Sequence, residues 1–160
     1  MRGLRLLAVA ATSRHVAYAF FQGGDLIDWR ISDRASDSVE SLTAALNNWI
    51  DALAPQAIVA ERPETAARKG ARAKALIRTI GEVAKVAGLP HVPVIRPHEF
   101  PNKYDEATYL TARYPDLAPW LPHKRVFYEN EPRNTIVFEA VVLAQTVLRD
   151  PTVSLSAALG

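Results

Sequence analysis

The stretch Gln56-Ala57-Ile58-Val59-Ala60-Glu61-Arg62-Pro63-Glu64 most restricts what this chain can fold into. Four of the five residues before Glu61 are apolar, a run that suits a short strand covered on both faces. Such a strand demands a sheet with material packed on each side. It also delivers a carboxylate to the strand exit, where an unpaired charge costs several kcal/mol. Glu61 is therefore a candidate metal ligand or catalytic group.

The neighbouring segments specify the rest of the sheet. Leu4–Ala11 is a continuous apolar run expected to be a central strand, and it reads as a strand rather than a secretory leader. His15–Gln22 is rich in aromatic and β-branched residues, Gly23-Gly24-Asp25 supplies a hairpin turn, and Leu26–Ile31 alternates as a more exposed return strand. Asp37 followed by Glu40 resembles a capping box. After it, Val39, Leu42, Ala45, Leu46, Trp49, Ile50 and Leu53 fall at helical spacing until Pro55. After the Glu61 strand, a helix is expected over Ala66–Ala87, closed by Gly88-Leu89-Pro90. His91–Arg96 reads as a short strand whose Pro93 favours an edge. Asn102–Tyr114 suits a small helix, and Tyr114–Arg133, with prolines at 115, 119, 122 and 132, an irregular loop. Asn134–Leu148 is apolar almost all round and should pack deeply. Three antiparallel strands followed by βαβα imply an α/β fold with a five-stranded mixed sheet and helices on both faces. The expected division is one domain over residues 1–150 and a loosely ordered tail over 151–160.

Composition excludes several classes. The sequence has no cysteine, so disulfides and thiolate metal sites are out, and a reducing cytoplasm is the compatible compartment. No apolar run approaches the length of a membrane span. A net charge of only +2 permits a nucleic-acid partner without requiring one, so charge distribution has to decide. No phosphate-binding glycine loop, dinucleotide fingerprint or nucleophile elbow is present, and the four histidines show no metal-ligand spacing.

Three constellations could carry chemistry. Glu139 sits near the start of the otherwise apolar last helix and could converge with Glu61 on one or two hard cations, Mg²⁺ or Mn²⁺. The competing account makes each glutamate a surface or salt-bridged residue, with Arg62, Arg133 and Arg149 as partners. Arg62, Arg68, Lys69, Arg72, Lys74 and Arg78 form a run with Glu64 as its one acid, suited to phosphates near a cleavage site or to a solvated helix face. The loop Arg125–Asn134 mixes Phe127 and Tyr128 with Arg125 and Arg133, which suits stacking on an unpaired base or burial of the rings.

With these elements in place, residues 4–148 resemble the ribonuclease H-like superfamily, and within it the RuvC-type Holliday-junction resolvases. The likeness rests on the first strand Leu6-Leu7-Ala8-Val9-Ala10-Ala11-Thr12, on Ile58-Val59-Ala60-Glu61, and on Phe138-Glu139-Ala140-Val141-Val142-Leu143-Ala144. It implies a Mg²⁺- or Mn²⁺-dependent endonuclease acting on branched or structured DNA as a cytoplasmic homodimer. Glu61 and Glu139 would be the metal-binding catalytic acids, with Arg14 and the 62–78 basic run on the DNA. The chain departs from the pattern at Ala10, which stands where the family has its first aspartate, and at the upstream acid of the last helix. Glu64, Glu129 and Glu131 are candidates to compensate, with no position that sequence alone assigns. The alternative is a catalytically degenerate domain that binds nucleic acid or a protein partner. A third reading puts the fold to a phosphate-ester or nucleotide reaction.

Overall fold

A computed structural model describes residues 3–122 and 133–149. Five strands, β1 (Arg5–Ala11), β2 (Val16–Gln22), β3 (Asp25–Ser32), β4 (Ala57–Glu61) and β5 (His91–Val94), form one sheet in the order β3-β2-β1-β4-β5. The β1-β2 and β2-β3 pairs are antiparallel, whereas β4 pairs with β1 and with β5 in parallel. The hairpin between β2 and β3 turns at Gly23 and Gly24, with φ of 61° and 88°, angles that favour glycine. Among the described residues four α-helices accompany the sheet: α1 (Val39–Leu53), α2 (Ala71–Val86), α3 (Lys103–Arg113) and α4 (Thr135–Arg149). This is the expected α/β architecture, a five-stranded mixed sheet with helices on both faces.

Strand alternation sorts the core into two layers. Leu7, Val9, Ala11, Tyr18, Phe20 and Ile58 pack under α1 and α2 against Leu42, Leu46, Leu76 and Ile80. Leu6, Ala8, Ala10, Ala17, Ala19, Ala57 and Val59 face α3 and α4, against Leu110, Phe138, Val141 and Leu143. The alanines on that face let α4 lie close to the sheet, which explains a helix buried at almost every position from Ile136 to Val147.

Several boundaries differ from the sequence reading, each for a local reason. The α1 cap is Ser38, whose hydroxyl accepts from the Ser41 amide at 3.0 Å, rather than Asp37. α2 starts at Ala71, not Ala66: Pro63 opens a 3₁₀ turn over Pro63–Thr65, and residues 66–70 turn before Gly70 caps the helix. β5 stops at Val94, and as an edge strand it tolerates Pro93. Among the described residues no helix is long and apolar enough to cross a membrane. His123, most of the Arg125–Asn134 loop, with Glu129 and Glu131, and the 151–160 tail lie outside the described residues.

Candidate functional site

Parallel pairing of β1 with β4 fixes the site. Val9 is in register with Ala60, so Ala10 and Glu61 stand one step further along neighbouring strands. Both belong to the face covered by α4: Ala10 follows Leu6 and Ala8, and Glu61 follows Ala57 and Val59. Glu139, on the second turn of α4, comes down onto the same point. Glu61 and Glu139 are 5% and 4% exposed, so the helix and the strand bring two buried carboxylates together.

What lies between them was not expected. The Lys69 ammonium donates to Glu139 Oε2 at 2.5 Å and to the Ala11 carbonyl at 2.8 Å, and lies 2.9 Å from Glu61 Oε1. That last contact is an ion pair without hydrogen-bond alignment, and Glu61 Oε1 is buried with no hydrogen-bond partner. Behind Glu139 a second cation closes the network. Arg96 Nη2 donates to Glu106 Oε1 at 2.7 Å, and Arg96 Nε lies 3.5 Å from Glu139 Oε1. Arg96 and Glu106 are 8% and 5% exposed. Three buried carboxylates, Glu61, Glu106 and Glu139, thus face two cations, Lys69 and Arg96. Burial outweighs the attraction of Arg96 and holds the Glu106 carboxyl above its usual range, while burial and the nearby Arg96 and Arg68 lower His98.

This arrangement does not fit a divalent cation. Mg²⁺ and Mn²⁺ need oxygen donors with room for waters, but here an ammonium occupies the point where the carboxylates and the carbonyl converge. Ala10 contributes a buried methyl in place of an oxygen. Among the described residues, no group of three or more His, Asp or Glu side chains is arranged to hold a metal ion.

The basic run divides. Lys69 turns inward because it lies in the turn before α2, and a side chain so engaged is withdrawn from phosphate. Arg72 ties α2 to the loop before α1, donating to the carbonyls of Ser36 at 2.7 Å and Asp37 at 3.2 Å. Arg14, Arg62, Arg68 and Arg78 are exposed and Lys74 is half-buried. A cavity of about 620 Å³ opens in front of the centre, rimmed by Thr12, Ser13, Arg68, His98, Asn102 and Lys103. Glu64 is exposed and does not line that cavity.

Sequence reasoning missed Arg96 and Glu106 and gave Lys69 the wrong direction. One signal was available for Glu106: on α3 it lies next to Ala107 and one turn before Leu110, within the stripe that packs on the core. Arg96 carries no comparable mark.

The strand order, the crossover from β1 to β4 and the helix that seats Glu139 against the sheet make up a ribonuclease H-like α/β fold. Among solved structures the chain is similar to Thermus thermophilus RuvC in complex with a Holliday junction substrate, at 11% identity, with a TM-score of 0.60 and coverage of 93% of this chain and 97% of that one. A second Thermus thermophilus RuvC structure matches at 12% identity, a TM-score of 0.59 and coverage of 93% and 98%. At such identities the likeness is one of fold. No family model matches the sequence, and no curated protein does.

Proposed function

We propose that this chain is a RuvC-like domain that binds branched or structured DNA without metal-dependent cleavage. The observation that carries the reading is the Lys69 ammonium held between Glu61 and Glu139. With Arg96 beside it, the centre holds its own counter-charges, and a carboxylate already paired to an ammonium has little affinity left for Mg²⁺. The DNA part of the reading is supported by the fold likeness to a RuvC solved on a Holliday junction and by the exposed Arg14, Arg62, Arg68 and Arg78. These side chains offer phosphate contacts that position a duplex without reading its sequence. The resemblance to the resolvases further implies a homodimer, which sedimentation at micromolar concentration checks.

One observation favours the metal-dependent endonuclease: two buried carboxylates and a main-chain carbonyl do point at one place. That reading requires Lys69 to leave.

The test uses a four-way junction and a linear duplex of equal length, with Mg²⁺ or Mn²⁺. Junction binding is expected to weaken with salt, and Arg62→Ala with Arg68→Ala should flatten the log–log salt slope by about 0.9 for each phosphate no longer neutralised. No cleavage is expected with either ion. Metal-dependent cleavage that disappears in Glu61→Gln would overturn the proposal, as would an absence of binding at low salt.

A further inference from the structure

We infer that Lys69 is the resident cation of this centre, a protein ammonium standing where the fold could otherwise seat a divalent ion. Replacing Lys69 by a neutral residue should therefore create a Mn²⁺ site that the native chain lacks. The donors around Nζ are the first argument. They are a carboxylate oxygen from β4 at 2.9 Å, a carboxylate oxygen from α4 at 2.5 Å and a main-chain carbonyl from the end of β1 at 2.8 Å. This all-oxygen set is the kind that hard divalent ions select; against metal–oxygen bonds of about 2.0–2.6 Å, the contact at 2.5 Å falls within the range and those at 2.8 and 2.9 Å exceed it by a few tenths of an ångström.

The second argument is the unsatisfied oxygen. Glu61 Oε1 is fully enclosed, faces the ammonium and makes no hydrogen bond. A buried carboxylate oxygen in that condition is held by charge alone, and a spherical ion meets its requirement as well as a directional donor does.

The third is charge. Lys69 and Arg96 lie among three carboxylates, with Lys103 also acting on Glu106, and removing Lys69 withdraws the cation that both Glu61 and Glu139 face. A divalent ion in place of the ammonium restores positive charge at that point. Position favours the exchange too, because Lys69 comes from the turn at 66–70 and not from the sheet or α4. Its side chain can be changed without altering the elements that aim the three oxygens.

The inference shares its site with the proposed function but does not depend on DNA binding. A protein that ignores junctions could still bear it out, and one that binds them could still refute it. The probe is Mn²⁺ alone, with free ion counted by electron paramagnetic resonance and the Tm followed in parallel. Native protein is expected to take up no Mn²⁺ at the centre, and its Tm should respond neither to Mn²⁺ nor to EDTA. Lys69→Met should bind one Mn²⁺ at least tenfold more tightly than native protein, with a Tm that is lowered and then raised by the ion. Adding Glu61→Gln to Lys69→Met should abolish the uptake. If Lys69→Met does not fold alone, it should fold when refolded with Mn²⁺, and Lys69→Gln, which can still donate to the Ala11 carbonyl, gives a second measurement. Mn²⁺ uptake by native protein equal to the variant's overturns the inference. So does a pair of neutral variants that neither bind nor gain stability from the ion.

Discussion

Removing Arg96 tests the ion-pair network most sharply. Arg96→Met keeps the bulk of the side chain but withdraws the guanidinium that lies 2.7 Å from Glu106 and 3.5 Å from Glu139. Glu139 keeps Lys69, whereas Glu106, 5% exposed, loses the cation nearest to it. Breaking one side of a buried pair costs about 3–5 kcal/mol, a large share of a domain's typical total of about 5–15 kcal/mol. The penalty should depend on pH with a definite sign. Burial already raises the Glu106 carboxyl above the ordinary glutamate range, and losing Arg96 raises it further. In the window between the unfolded and folded values, the folded state binds a proton that the unfolded state does not. Stability therefore rises as pH falls, by up to about 1.4 kcal/mol per pH unit. Urea unfolding followed by tryptophan fluorescence at pH 8, 6.5 and 5 measures it, with Trp49 buried in the core as reporter. The difference between variant and native protein should be largest at pH 8 and shrink steadily toward pH 5. Comparison at each pH cancels His91, whose burial lowers its pKa and pushes native stability the other way in acid. Adding Glu106→Gln should recover most of the loss and remove the part of the pH dependence that Glu106 carries, leaving only the smaller change that the loss of Arg96 makes at His98. A difference that stays flat with pH, or a double variant as unstable as the single one, would refute the reasoning.

Other outcomes follow from local geometry. Gly81→Ala should destabilise by about 1 kcal/mol despite its better helix propensity, because the new Cβ would lie 2.8 Å from His91 Cε1. Combined with His91→Ala the same change should turn neutral or stabilising in thermal melts. Ser38→Ala should lower stability by about 1 kcal/mol and Asp37→Ala by little, since the α1 cap bond belongs to Ser38; circular dichroism melts decide. Asp33→Asn should change stability by less than about 0.5 kcal/mol, because its pairs with His15 and Arg133 are exposed.

The sheet was legible because its strands are written in residues with one physical use. Leu6–Ala11 and Ala57–Ala60 are apolar without a break, and a strand so composed has to be central. The convergence of Glu61 and Glu139 followed from the same logic, since a carboxylate ending a buried strand and another on a buried helix have few places to go. Lys69 was illegible because its role depends on a boundary. Placed on a helix running from residue 66 it joins a solvated basic stripe; placed in the turn that Pro63 and Gly70 enforce, it points at the carboxylates. Arg96 and Glu106 meet across a contact between the β5 exit and α3, and no local pattern in either segment announces it. The basic run looked uniform in sequence, yet Arg72 braces a loop, Lys69 fills the centre and Arg62 and Arg68 stay in solvent.

The Ala11 carbonyl gives the centre an unusual kind of robustness. Two of the groups that hold Lys69 are side chains, and one point substitution removes either; the third is main chain and present whatever residue occupies position 11. Its aim is set by the turn that follows, where the Thr12 amide donates to the His15 carbonyl at 2.8 Å and the Thr12 hydroxyl accepts from the amides of Arg14 and His15. The anchor is thus governed from a neighbouring surface turn. A change at Thr12 that never touches the carboxylates can tilt the strand end and loosen the lysine, whereas a change of side chain at Ala11 itself leaves the grip in place.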